Sequence, residues 1–116
     1  MAYTVLTYPL DEKPNIVESF YKKLPKSART KIIRQLRYLE EYGLSAVVIN
    51  LKKLQGYEFW EVRILGKENI RIFVWGIENY IFLLHIFLKK QQTTKLRDLL
   101  LAKKRLTAIK QQINYH

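Results

Sequence analysis

Residues 59–88 read FWEVRILGKENIRIFVWGIENYIFLLHIFL and carry the strongest fold signal in the chain. β-branched and aromatic residues fill it, except at two breaks, Gly66–Asn69 and Gly76–Asn79, which carry turn-forming residues. This pattern is typical of strands joined by short turns. The stretch therefore predicts a three-stranded antiparallel meander, with strands at Phe59–Leu65, Ile70–Trp75 and Tyr80–Leu88.

The segment before the meander predicts one strand and two helices. Residues 3–8 carry β-branched and aromatic side chains and favour a short strand. Apolar residues at every fourth position over Ile16–Leu24 predict a first helix, which starts within Asp11–Pro14 and ends at Pro25. A second helix follows and is closed by Gly43.

After the meander the helical period returns from Lys95 onward. The predicted order is β-α-α-β-β-β-α, an α+β fold with a twisted, mainly antiparallel sheet packed against helices. A chain of 116 residues is long enough for one core and too short for two. We therefore expect a single domain over residues 1–116.

Side chains alternate along a strand, so each predicted strand has two faces. One face of each strand is apolar throughout, and these faces are expected to share a core: Trp60, Val62 and Ile64; Ile70, Ile72 and Val74; Phe82, Leu84 and Ile86. The opposite faces then gather on the other side of the sheet: Glu61, Arg63, Arg71, His85 and Lys89, with Phe73, Trp75 and Phe87 among them. The prediction requires regular strands, because a bulge reverses the parity beyond it.

Composition limits the classes of function. The net charge of +11 favours polyanionic partners such as RNA or DNA. The chain has no cysteine and only two histidines, so a thiolate metal site is excluded and we expect no metal or cofactor. The start lacks a signal peptide, and the most apolar segment, Ile81–Leu88, is too short to cross a bilayer. We expect a cytoplasmic protein with no membrane role.

Cations interleaved with aromatic rings form a pattern suited to RNA, because cations bind phosphates and rings stack on bases. Phe73 and Trp75 are the candidate stacking residues. A simpler interpretation stays open beside this one. Charged residues on the second face of an antiparallel sheet are usually only solvated, and a single histidine in an apolar strand is usually structural.

A set of motifs occurs in order along the chain. They are Lys53-Leu54, Trp60-Glu61-Val62-Arg63, Ile70-Arg71-Ile72-Phe73-Val74, Leu83-Leu84-His85-Ile86-Phe87-Leu88-Lys89-Lys90, Gln92 and Thr94, and Ala102-Lys103-Lys104-Arg105. With these motifs the chain resembles the phage-derived HigB-like branch of the RelE/ParE superfamily, the toxins of type II toxin–antitoxin systems. The similarity spans most of the chain and is weakest before residue 50.

The resemblance implies a RelE-like fold and a ribosome-dependent mRNA endoribonuclease, also called an mRNA interferase. Such a toxin enters the ribosomal A site and cuts the message. The implied partners are mRNA, the ribosome and a cognate antitoxin, which is expected to be a helix-turn-helix DNA-binding protein. The resemblance also implies RNA binding by Lys53, Lys90 and Gln92.

Metal-independent RNA cleavage uses the ribose 2′-hydroxyl as nucleophile and needs a base and cations around the phosphate. We assign Arg63 and Arg71 to the phosphate, because a guanidinium matches its oxygens bidentately, and Lys89 to the RNA backbone. The base is Glu61 or His85, and a structural role stays open for His85. The rival functions are inhibition of DNA gyrase by a ParE-like toxin and non-catalytic RNA binding.

Overall fold

The computed structural model describes residues 2–45, 48, 50–90 and 95–115. Within these ranges no helix combines the length and the apolar character that crossing a membrane requires. The elements are, in chain order, β1 (Thr4–Thr7), α1 (Ile16–Tyr21), α2 (Lys26–Tyr42), β2 (Leu51–Lys53), β3 (Trp60–Ile64), β4 (Ile70–Ile77), β5 (Tyr80–Leu88) and α3 (Leu96–Gln112). The α+β class is confirmed, with the three strands of the meander close to their predicted bounds.

The strands form one mixed sheet in the order β1-β5-β4-β3-β2. β1 runs parallel to β5, and the other neighbouring strands are antiparallel. The predicted element order is wrong because it omits β2, which pairs with β3 and places Lys52 opposite Glu61. A strand of three residues is too short to show a period of two in the sequence.

Hydrogen bonds at Asn15 set the start of α1. The Asn15 side-chain oxygen accepts the backbone N–H of Glu18 at 2.9 Å, and the Glu18 carboxylate accepts the N–H of Asn15 at 2.8 Å. This reciprocal pair is a capping box. The predicted start within Asp11–Pro14 and the predicted end at Pro25 are both wrong, because the cap lies at Asn15 and the helix stops at Tyr21.

Gly43 ends α2, as the sequence predicts. Its φ of 66° lies in the left-handed region, and its N–H donates to the carbonyl of Leu39 at 2.9 Å. A Cβ atom at this position would lie 2.5 Å from the ring of Tyr3. Both the backbone conformation and the close approach of Tyr3 therefore require glycine here.

Each face of the sheet has its own core. Helices α1 and α2 cover one face, which buries Leu24, Ala28, Ile32, Leu39, Val48, Val62, Ile64, Ile70, Ile72, Val74, Ile81, Leu83 and Ile86. Helix α3 covers the other face, which buries Phe59, Phe73, Trp75, Phe82, Leu84, Ala102, Leu106 and Ile109. Because the sheet is covered on both sides, its central strands bury apolar residues on both faces.

A bulge in β5 changes the predicted faces. His85 and Leu83 lie opposite consecutive residues of β4, so Leu84 between them has no partner in that strand. Phe82 and Leu84 consequently lie on the face of α3, whereas Leu83 lies on the face of α1 and α2. The prediction that Phe82 and Leu84 share a core with Ile86 is wrong, since the extra residue reverses the parity.

Candidate functional site

Sheet register brings four of the predicted site residues to one face. Glu61 lies opposite Phe73, and Phe73 lies opposite His85 in the next strand. Arg63 lies directly opposite Arg71. Directly opposed residues of paired strands point to the same side of a sheet. Glu61, Arg63, Arg71 and His85 therefore occupy the α3 face.

We refer to Glu61, Arg63 and Arg71 as the arginine cluster. Nε of Arg63 donates a hydrogen bond to Oε1 of Glu61 at 3.1 Å, and Nε of Arg71 lies 3.8 Å from Oε2. The Glu61 side chain is 2% exposed and that of Arg63 is 36% exposed. A buried carboxylate thus orients two guanidinium groups, one of which reaches solvent.

The contact between Arg71 and Glu61 is electrostatic, without a hydrogen bond. Oε2 of Glu61 and Nε of Arg71 are buried, and neither has a hydrogen-bond partner within the part of the chain that the structure describes. Burial lowers the pKa of Arg71, while the nearby Glu61 raises it in part and Arg63 lowers it further. A guanidinium stays charged under such a shift, so Arg71 is a cation at neutral pH.

Asn69 connects the arginine cluster to the end of β5. Its Oδ1 accepts a hydrogen bond from Nη1 of Arg71 at 2.7 Å, and its Nδ2 donates to the carbonyl of Lys89 at 3.0 Å. The N–H of Lys89 donates in return to the carbonyl of Asn69 at 3.0 Å. The chain beyond β5 is thereby tied to Arg71, and the next residue, Lys90, is exposed.

His85 lies between two side chains of α3. Its Nε2 is 2.8 Å from Oδ1 of Asp98, and its Nδ1 is 3.2 Å from Nη1 of Arg105. Because arginine only donates and a carboxylate accepts, these partners assign the proton to Nε2 and the lone pair to Nδ1. Both ring nitrogens are then engaged within the protein, and neither is free to take a substrate proton in this conformation.

The environment of His85 favours the neutral ring. Burial lowers its pKa, the hydrogen bond to Asp98 raises it in part, and the positive charge of Arg105 lowers it again. The ring stacks on Phe87, with centroids 4.9 Å apart and planes inclined by 17°. His85 is therefore a packed, neutral and doubly hydrogen-bonded residue.

Arg105 joins the histidine to the bulge. Its Nη1 also donates to the carbonyl of Leu84 at 3.0 Å, and its guanidinium lies over the ring of Tyr8 at 5.0 Å from the centroid. Leu84 is the residue without a partner in β4, so Arg105 satisfies a carbonyl of the bulge. Burial lowers the pKa of Arg105.

The remaining predicted site residues are Phe73, Trp75, Lys53 and Gln92. Phe73 is fully buried and Trp75 is 6% exposed, so neither ring offers a face for a base to stack on, contrary to the expectation. Lys53 lies opposite Trp60, and its ammonium contacts the carbonyls of Leu54 and Tyr57. Gln92 lies outside the described residues.

Sequence reasoning missed three residues that shape this region: Asn69, Asp98 and Arg105. The sequence places Asn69 in the turn Gly66–Asn69, which agrees with its positive φ of 51° but does not indicate its bond to Arg71. Asp98 and Arg105 are seven residues apart, a spacing that aligns two side chains on one helix face and marks them as a pair. Their partner His85 could not be inferred, because nothing local relates it to α3.

Fold and site together define a class of protein. It is a small, basic α+β protein in which a buried carboxylate presents a pair of guanidinium groups, the groups best suited to phosphate. Among the described residues no group of three or more His, Cys, Asp or Glu side chains is placed to hold a metal ion.

The comparison with protein families identifies the class further. The family model described as Phage derived protein Gp49-like matches residues 19–107, more than half of the chain, and the chain belongs to this family. The family is part of the RelE/ParE-like toxin superfamily and is associated with endoribonuclease-like toxins. The search of the curated proteins finds no match.

Proposed function

We propose that this protein is the toxin of a type II toxin–antitoxin system and a ribosome-dependent mRNA endoribonuclease of the HigB-like branch. The observation that carries the proposal is the arginine cluster, in which Glu61 orients Arg63 and Arg71 on one face of the sheet. Its partners are mRNA, the ribosome and a cognate antitoxin with a helix-turn-helix domain, and its site of action is the cytoplasm.

The proposed reaction needs no metal. The ribose 2′-hydroxyl loses its proton to solvent water and attacks the adjacent phosphate, and negative charge develops on the phosphorane oxygens. The bond to the 5′-oxygen then breaks and this oxygen takes up a proton from water, which leaves a 2′,3′-cyclic phosphate and a 5′-hydroxyl. Arg63, which reaches solvent, binds these oxygens. Arg71, which is buried beside Glu61, adds a second positive charge that stabilises the negative charge on them. Lys89 and Lys90 hold the RNA backbone where the chain leaves β5. This arrangement stabilises the transition state by preorganised positive charge.

Glu61 and His85 act through other side chains in this proposal. The carboxylate of Glu61 faces the two guanidiniums, and both ring nitrogens of His85 are bonded to α3. Glu61 is accordingly assigned to the orientation of the arginines, and His85 to the attachment of α3. The engaged ring nitrogens of His85 also favour a second candidate, a non-catalytic RNA-binding protein, which needs no general base.

One experiment separates the candidates. Purified protein is mixed with ribosomes programmed with a defined mRNA, and cleavage is mapped by primer extension. We expect cuts within the A-site codon that are absent with naked mRNA. Ribosome binding without cuts would support the non-catalytic protein, and inhibition of gyrase supercoiling without cuts would support a ParE-like toxin.

A further inference from the structure

A cleft of about 310 Å³ lies between α1 and the second half of β5. Its walls include the apolar side chains of Ile16, Phe20 and Ile86 and the cationic side chains of Lys23 and Arg105. Its volume is at the lower end of the range for ligand sites in proteins. The arginine cluster does not line this cleft, so it is a separate feature of the surface.

One edge of β5 is open along this cleft. β1 pairs with β5 only from Tyr80 to Leu83, although β5 continues to Leu88. The last backbone bond on this side runs from the N–H of Tyr8 to the carbonyl of Leu83 at 3.0 Å. The carbonyl of Tyr8, which would continue this ladder, instead accepts the N–H of Ile16 at 3.0 Å. Within the part of the chain that the structure describes, residues 84–88 thus have no neighbouring strand on this side.

The register shows which backbone groups face the open edge. The N–H of Lys89 donates to the carbonyl of Asn69, so Lys89 directs its backbone groups toward β4. Alternate residues of an antiparallel strand do the same, and Phe87, two residues earlier, therefore also bonds to β4. The N–H and C=O groups of Ile86 and Leu88 point the other way. Among the described residues no hydrogen bond reaches these outward groups. Ile86 is 6% exposed, and unpaired backbone groups at so buried a position call for a partner.

The charge of the cleft selects the kind of partner. Lys23 and Arg105 line it, whereas no carboxylate of the described residues does. Of the Arg105 nitrogens, Nη1 makes the bonds to Leu84 and His85, and no bond is made by Nε or Nη2 to a described residue. The nearest carboxylate on α3, that of Asp98, is engaged by His85. An anionic side chain beside an apolar one therefore complements the cleft.

We propose that the cleft binds an extended, acidic segment of a partner protein, which adds as a strand to β5 at Ile86 and Leu88. Backbone groups of the segment satisfy the open edge, its apolar side chains pack on Ile16 and Phe20, and its carboxylates pair with Lys23 and Arg105. An RNA strand would use the cations but would leave the alternating backbone groups of β5 unpaired. The proposal does not depend on RNA cleavage.

The test is an NMR titration of ¹⁵N-labelled protein with a blocked peptide of about six residues that alternates glutamate and valine. We expect the amide signals of Ile86 and Leu88 to shift and to gain protection from hydrogen exchange, while the inward-facing amide of Phe87 changes little. No shift at Ile86 and Leu88 with millimolar peptide would overturn the proposal. So would equal shifts of all three amides, or shifts caused by a short oligouridylate and not by the peptide.

Two modified peptides test strand addition. Each carries N-methyl groups on every second residue, in one peptide on the glutamates and in the other on the valines. In an added strand only one of these sets faces β5, so one peptide should bind about tenfold more weakly and the other should bind like the parent. Equal affinity of the two peptides would contradict strand addition.

A pair of lysine variants tests the charge. Lys23→Glu should weaken binding of the acidic peptide by about two- to fivefold, because the reversed charge faces the carboxylates. Lys22→Glu is the matched control, since Lys22 is exposed and does not line the cleft. Equal effects of the two variants would assign the loss to net charge and would overturn the assignment to the cleft.

Discussion

Nε2 of His85 donates a hydrogen bond to Oδ1 of Asp98 at 2.8 Å and so ties β5 to the first turn of α3. On the other side of the ring, Nη1 of Arg105 donates to Nδ1 at 3.2 Å. The histidine links two elements, and its contact with Arg105 requires the neutral ring, because Nδ1 must accept a hydrogen bond. The arginine cluster lies on the same face of the sheet, so catalytic and structural roles can be separated by substitution.

Arg63→Ala should lower cleavage of mRNA on programmed ribosomes by about a hundredfold, because a donor to the developing charge is lost. Stability in urea should fall by about 1–3 kcal/mol, since Oε1 of the buried Glu61 loses its hydrogen bond. Arg37→Ala removes the same charge from the exposed surface of α2 and should cleave like wild type. Wild-type cleavage by folded Arg63→Ala would refute the assignment.

Glu61→Gln distinguishes a positioning carboxylate from a general base. The substitution keeps the shape of the side chain and removes the charge that attracts both guanidiniums. We expect cleavage to fall by up to about a hundredfold through misplaced arginines, with the pH–rate profile unchanged in shape. If the acidic limb of that profile disappears, Glu61 is the base instead.

The stability of the protein should fall on acidification through His85. Burial lowers the pKa of this residue in the folded state, so at acid pH the unfolded chain binds a proton that the native protein does not. This contribution is complete above the unfolded pKa of about 6.5 and is lost as pH falls toward the lower folded pKa. Denaturant melts from pH 7.5 to pH 5 measure the slope, which is at most about 1.4 kcal/mol per pH unit for one proton.

His85→Gln should remove most of that slope, and His116→Gln, which changes the only other histidine, should leave it intact. An unchanged slope in His85→Gln would assign the acid sensitivity to other groups. Loss of stability with little loss of cleavage in the same variant is the result expected for a structural histidine.

His85→Gln and Arg105→Met should not be additive in stability. Each single change should cost about 1–3 kcal/mol, because each leaves a buried partner unsatisfied. The double variant should differ from the sum by about 0.5–3 kcal/mol, since both remove the same hydrogen bond. Thr30→Ala, on the exposed side of α2, should add to Arg105→Met without coupling. Additivity of the first pair would show that the contact is not formed in solution.

Gly43→Ala should destabilise the protein by about 1–3 kcal/mol more than Gly56→Ala. Both glycines have positive φ, so both substitutions strain the backbone. Only at Gly43 does the new methyl group meet another side chain, the ring of Tyr3, whereas no atom lies within 4 Å at Gly56. Equal losses in thermal or urea unfolding would mean that Tyr3 moves aside at no cost.

Local sequence was enough to predict the three strands of the meander, because the alternation of side chains and the turn residues depend only on residues that are close together in the chain. It was also enough to predict the end of α2 at Gly43, where a single residue supplies the required φ. It was not enough to find β2, whose three residues are held by pairing with β3. The predicted start of α1 is wrong because the acidic residues and the proline of Asp11–Pro14 resemble a first helical turn as much as the true cap at Asn15 does.

By itself the sequence determined the α+β class, the strong positive charge and the placement of Arg63 and Arg71 on one face, since each of these depends on composition or alternation. Tertiary structure alone decided the role of His85. Its partners Asp98 and Arg105 lie 13 and 20 residues away, and the bulge at Leu84 changes the parity of the strand before it. Contacts between distant residues leave no periodic trace in a sequence, so they are fixed only when α3 packs on the sheet.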